Sequence, residues 1–146
     1  MAETISEMSW KINDKEISSV LALPPAQRYE YFVKKVADFE ELWGLADERG
    51  WAVYRNEPGQ ELFPVWPHPQ YAAKCAIDAF ARCLPRRITL REWLESWLPQ
   101  LLEEKRLVAV LPSPDNRAVF VTPDRLLADL VEELSNVGGL SDDEGR

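Results

Sequence analysis

The stretch Leu42-Trp43-Gly44-Leu45-Ala46-Asp47-Glu48-Arg49-Gly50-Trp51-Ala52-Val53-Tyr54 decides how the rest of the chain is read. Two short apolar runs, Leu42 to Leu45 and Trp51 to Tyr54, flank a polar connection that closes on Gly50. This is the pattern of a β-hairpin: aromatic and branched side chains fit a pleated surface, and Asp with Gly suits a tight reversal. The chain therefore contains antiparallel sheet, and the flanking segments must supply what covers it.

Upstream the pattern is helical. Asn13, followed three residues later by Glu16 and then by Ile17, Val20 and Leu21, reads as a capped helix that stops near Pro24. Pro25 suits a first helical position, and Tyr29, Phe32, Val33 and Val36 recur at three- and four-residue spacing, the stripe of a buried helix face.

Downstream, past a loop at Asn56-Glu57-Pro58-Gly59, the run Leu62-Phe63-Pro64-Val65-Trp66-Pro67 reads as extended. Its prolines cannot donate to a ladder, which predicts an edge strand or a strand-like loop. Pro69 then opens a third helix with Ala72, Cys75, Ala76, Ala79 and Phe80 on one face, reaching Cys83 and ended by Pro85. Thr89 and Glu92 have capping-box spacing ahead of Leu90, Trp93, Leu94, Trp97 and Leu98, and Pro99 predicts a kink or restart. A second hairpin joins Leu107–Leu111 to Ala118–Val121, and Thr122-Pro123-Asp124 starts a final helix on Leu126, Leu127, Leu130, Val131 and Leu134.

No strand–helix–strand alternation is sustained, so the expected class is α+β: a mainly antiparallel sheet of about five short strands, packed by about five helices. Two hairpins and one edge strand make up that sheet. Residues 1–137 read as a single domain, with 1–23 as an N-terminal helical extension and 138–146 as a disordered acidic tail.

With 146 residues, 46% of them apolar, the chain is long enough to bury a core without disulfides or metal. Its net charge of −8 repels phosphate backbones and anionic lipids, so neither nucleic acid nor membrane is an expected partner. A basic protein is, and self-association as a homodimer stays open. The N-terminal residues lack a signal-peptide pattern, and the longest apolar run, Leu107–Leu111, cannot span a membrane. Cys75 and Cys83 would lie about 12 Å apart along one helix, beyond the roughly 7 Å a disulfide spans. They read as core thiols in a reducing, cytoplasmic setting.

No phosphate loop, nucleophile elbow or HExxH occurs, no cofactor or metal is implied, and the one histidine is His68. Proline on both sides of His68, in Trp66-Pro67-His68-Pro69, gives the most distinctive local feature. One reading makes it an aromatic binding pocket with Trp66, Trp51 and Tyr54; the plainer one makes it a rigid corner packed on the core. Glu92 and Glu95 lie three residues apart, but Glu92 already has a capping role. Glu95, like the pairs Glu103-Glu104 and Glu132-Glu133, reads as solvated charge.

Several stretches in order resemble the bacterial domain-of-unknown-function 2750 family. They are Tyr31-Phe32-Val33-Lys34-Lys35-Val36-Ala37-Asp38, Glu41-Leu42-Trp43-Gly44-Leu45, Gly50-Trp51-Ala52, Phe63-Pro64-Val65-Trp66-Pro67, Ile88-Thr89-Leu90-Arg91-Glu92-Trp93-Leu94 and Val108-Ala109-Val110-Leu111-Pro112-Ser113-Pro114. The resemblance spans roughly residues 24 to 134 and implies a small stand-alone bacterial cytoplasmic domain. That family has no assigned reaction or ligand, so no functional residues carry over.

Two function classes follow. The first is a non-catalytic interaction module, immunity-like or regulatory, whose acidic surface docks on a basic partner. The second is a small-molecule or peptide-binding domain at the His68 corner, with Trp51, Tyr54, Trp66 and Glu92, extending to weak hydrolase activity.

Overall fold

The structure, a computed structural model, describes residues 10–56, 59–115 and 117–140. Asn13 caps helix α1 (Asp14–Leu21) as its spacing requires, its side-chain oxygen accepting the Glu16 amide at 2.8 Å. Helix α2 (Pro25–Phe39) buries Phe32, Val33 and Val36 and ends at Glu40, whose φ of 57° is left-handed. That reversal replaces a loop: strand β1 (Glu41–Asp47) starts at the next residue.

The hairpin forms at the predicted place. Strand β2 (Gly50–Trp51) pairs antiparallel with β1, Ala46 opposite Trp51, while the Asp47 carboxylate accepts the Arg49 amide across the turn. The run Trp51 to Tyr54 is not one strand, however. After Ala52 and Val53 the chain leaves this sheet, and Tyr54–Arg55 (β3) begins a second one.

The second sheet has the order β3-β4-β6-β7, with β4 (Glu61–Val65), β6 (Leu107–Val110) and β7 (Val119–Val121). The pairing of β4 with β6 is parallel; the others are antiparallel. Strand β4 is thus interior, which corrects its reading as an edge. The Val65 carbonyl accepts the Leu111 amide at 2.9 Å, so Val65 faces β6 and its neighbours Pro64 and Trp66 face the opposite side. Strand β3 ends opposite Leu62, and Pro64, which has no N–H to place, sits in the gap before Trp66 meets Trp43.

The third helix is shorter than its apolar stripe suggested. Helix α3 (Pro69–Lys74) stops at Cys75, a 3₁₀ turn follows at Asp78–Phe80, and Leu84–Thr89 is a strand, β5. Strand β5 pairs antiparallel with β1 over six positions, Glu41 opposite Thr89 through Ala46 opposite Leu84. Pro85 therefore occupies an edge strand of the sheet β2-β1-β5 instead of ending a helix. Only Ile88 of β5 is buried, so the strand has no apolar alternation to reveal it. Cys75 and Cys83 are buried and free, and they do not share a helix.

The capping box at Thr89 and Glu92 is present in both directions. It opens a continuous helical run made of α4 (Leu90–Glu92), a π-helical segment (Trp93–Trp97) and α5 (Leu98–Glu103). The Leu98 amide reaches back to the Trp93 carbonyl. This wider register accommodates Pro99 without the expected restart.

Helix α6 (Pro123–Asn136) buries Leu126, Leu130 and Leu134 at four-residue spacing. Thr122 stands at its N-cap, but its side chain caps no backbone amide. Gly138 turns with φ 95°, the Gly139 amide closes on the Leu134 carbonyl at 2.7 Å, and Leu140 packs on the core. The remainder of the expected tail, Ser141 to Arg146, lies outside the described residues.

Alternation gives the four-stranded sheet two unlike faces. Phe63, Val65, Val108 and Val110 enter one core cluster with Phe32 and Val36 of α2, Trp93 and Leu101, and Leu126 and Leu130 of α6. Burying each such side chain contributes about 1.5–3 kcal/mol. Tyr54, Leu62, Ala109 and Phe120 face the other way, away from the helices. The fold is α+β as read from the sequence, with its strands divided between two small sheets.

Candidate functional site

The five residues singled out in the sequence occupy separate settings. Trp66 is fully buried, its indole N–H donating to the Pro112 carbonyl at 2.9 Å. His68 is 3% exposed and stands at the N-cap of α3. Its Nδ1 accepts the Gln70 amide at 3.1 Å, so the proton must sit on Nε2, which donates to the Trp10 carbonyl at 2.5 Å. Burial lowers its pKa below the ordinary imidazole value. The Trp10 ring lies edge-on to the imidazole at 4.8 Å, packed into the corner for which an aromatic pocket was the alternative reading.

Trp51 lies on the other side of β1's sheet system, its ring 5.0 Å from Trp97 and 5.8 Å from Phe63, with the Arg86 guanidinium over it at 4.8 Å. Tyr54 packs against Phe80, the rings tilted by 32° with centroids 5.2 Å apart. Glu92 is committed to its capping box. The plainer reading of the Trp66-Pro67-His68-Pro69 corner is the one its contacts support, and neither of the two clefts described next is lined by Trp66, His68 or Glu92.

The first cleft, about 560 Å³, lies over the face of the four-stranded sheet that points away from α2 and α6. Tyr54, Leu62 and Phe120 form its floor, and the segment after α3, with Ile77, Asp78 and Phe80, forms a wall. Cys75 also lines it, its thiol against the Pro112 carbonyl and its pKa pushed up to about 11, chiefly by burial. A thiol so held is not a nucleophile at neutral pH.

The second is a groove of about 580 Å³ between α2, α6 and the outer strand β7. Val33, Val119 and Val121 supply its apolar surface, and Phe120 borders it at the edge of β7. Four carboxylates rim it, Glu30, Asp129, Glu132 and Glu133, against two cations, Lys34 and Arg125. Asp129 is already engaged: it accepts the Tyr29 hydroxyl at 2.5 Å and Arg125 Nε at 3.0 Å, tying α2 to α6. Glu30, Glu132 and Glu133 form no ion pair among the described residues. Burial together with the bond to Asp129 raises the Tyr29 pKa, so its hydroxyl stays a donor.

This groove was not visible in the sequence. Glu132-Glu133 read as ordinary solvated charge, and nothing along the chain said that α2 and β7 would lie beside α6. The one local signal was Phe120, an aromatic between two valines whose alternation turns it outward, 51% exposed. Among the described residues no group of three or more His, Cys, Asp and Glu is placed to hold a metal ion, and no helix is long and apolar enough to cross a membrane.

Fold and clefts together define a small mixed-sheet α+β protein with an apolar, carboxylate-rimmed groove. The chain belongs to the family described as protein of unknown function (DUF2750), whose model matches residues 29–130, more than half of its length. No curated protein matches it. Helix α1 and the α1–α2 connection precede the matched region.

Proposed function

We propose that this chain is a non-catalytic interaction module, regulatory or immunity-like, that receives a basic segment of a protein partner in the groove between α2, α6 and β7. The observation that carries the reading is the apolar surface of Val33, Val119 and Val121, continued at the sheet edge by the half-exposed Phe120, beside three carboxylates that have no ion-pair partner among the described residues. Apolar surface supplies affinity, and unpaired like charge supplies steering and selects the sign of the partner. The overall charge of −8 acts in the same sense. Two buried free cysteines support a reducing, cytoplasmic setting as part of the same proposal.

The test is a titration of the isotopically labelled protein with a lysine-rich synthetic peptide and with a glutamate-rich one of equal length. The reading expects shifts at Glu30, Phe120, Glu132 and Glu133 with the lysine peptide alone, lost at high salt and in Glu132→Lys/Glu133→Lys. Equal response to both peptides, or to neither, would overturn it.

A second reading, a small-molecule site, rests on the size of the cleft at Tyr54, which falls in the range of ligand pockets. It expects small aromatic compounds to shift Tyr54 and Phe80 resonances and to leave those of the groove unmoved.

A further inference from the structure

The direction of the hydrogen bonds in the four-stranded sheet determines what the outer edge of β7 presents. Because the Leu111 amide donates to the Val65 carbonyl, the main chains of Ala109 and Leu111 face β4, and those of Val108 and Val110 face β7. Val108 lies opposite Val121 and Val110 opposite Val119, so these are the hydrogen-bonded pairs. Phe120, opposite Ala109, must turn its own N–H and C=O outward, and no described residue bonds either group.

The other ends of the two sheets are blunted. Strand β5 carries Pro85, Arg86 and Arg87, while β2 and β3 are two residues long. Strand β7 has no proline, glycine or charge, and it borders the carboxylate-rimmed groove. An open, uncharged edge beside a docking groove is the arrangement that takes up an added strand.

We infer that the partner enters as an extended strand paired to β7, with lysine or arginine alternating with apolar residues. This rests on the groove reading above and specifies its mode. In an added strand, side chains on the Val119 and Val121 side face α2 and α6, where Glu30, Glu132 and Glu133 await cations. Those on the Phe120 side lie beside its ring, at the border of the Tyr54 cleft, where apolar groups belong. Side-chain period and main-chain period coincide, so a peptide that satisfies one satisfies the other.

The experiment uses the full chain and synthetic peptides of alternating lysine and valine, one unmodified, one Nα-methylated on the valines and one on the lysines. A fourth peptide has the same composition at helical spacing. Strand addition expects the Phe120 amide to gain protection from solvent exchange. Methylation of one alternate set should weaken binding about tenfold, while methylation of the other set, which faces away, is tolerated. If both methylated peptides bind as tightly as the unmodified one, or the helical peptide binds better with Phe120 exchange unchanged, strand addition is overturned and the groove reading stands. If no lysine peptide binds, both fall.

Discussion

The main chains of Trp43 and Trp66 exchange two hydrogen bonds, each amide donating to the other's carbonyl at 2.8 Å. This isolated bridge is the only ladder contact among the described residues between the β2-β1-β5 sheet and the four-stranded one. Both rings are buried, and each indole N–H has a fixed partner, Glu41 for Trp43 and the Pro112 carbonyl for Trp66. The seam between the two sheets is therefore held at both its backbone and its side chains.

Replacing Trp66 by Phe keeps the bridge but removes the indole donor and part of the ring. The Pro112 carbonyl then retains only the weak Cys75 thiol, and a void opens beside it. The lost buried bond and the void together should lower unfolding stability by about 2–4 kcal/mol. Urea denaturation reads this as a fall in midpoint at unchanged slope; a change under about 0.5 kcal/mol would show the seam to be unimportant.

Local signals carried most of the helices and both hairpins. Asn13, the Thr89–Glu92 box and the four-residue spacing in α6 each act within one turn, so a single sequence displays them. Strand β5 stayed hidden because its partner, β1, lies some forty residues upstream and only one of its own side chains, Ile88, is buried. The proline rule was sound but belonged to Pro85, at an edge, and not to Pro64, whose missing donor falls in a gap between partners. The groove depends on three elements meeting, and tertiary contact of that kind leaves no periodicity to read. His68 drew attention through its two prolines, yet its ring serves the chain's own backbone.

Gly44 sits directly under the Trp51 ring: a Cβ there would come within 2.9 Å of Cζ3 and 3.0 Å of Cε3. Those atoms belong to an indole already held by Trp97 and Phe63, so it cannot swing aside freely. Gly44→Ala should cost about 1–3 kcal/mol as overpacking. In a Trp51→Ala background the same change should cost close to nothing, a non-additivity that a double-mutant cycle measures directly.

Arg87 places its Nε 2.6 Å from the buried Glu41 carboxylate, whose other oxygen receives the Trp43 indole at 3.3 Å. Arg87→Ala takes this cation away from a buried carboxylate and should destabilise by about 2–4 kcal/mol. Adding Glu41→Gln, which removes the charge while retaining an acceptor for Trp43, should recover part of the loss. Thermal unfolding of the two variants side by side decides it, and a double variant less stable than Arg87→Ala would contradict the pairing.

His68 makes stability depend on pH in a direction that can be worked out. Burial lowers its folded-state pKa below the ordinary 6.5, so between the two values the unfolded chain binds more protons. The contribution from a neutral His68 is present above about pH 6.5 and is lost as pH falls toward the folded pKa. The charged groups acting on the ring, Glu41 and Glu16, and its bond to the Trp10 carbonyl, oppose the shift without reversing it. The structural reason for the loss is that protonating Nδ1 replaces the acceptor of the Gln70 amide with a second donor, uncapping α3. His68 is the only histidine, so His68→Asn, which can still accept from Gln70, removes this titration and leaves the carboxylates in place. The urea midpoint of the native chain should fall more than that of the variant between about pH 7 and pH 5. Parallel declines would mean that the imidazole titrates alike in the folded and unfolded chains.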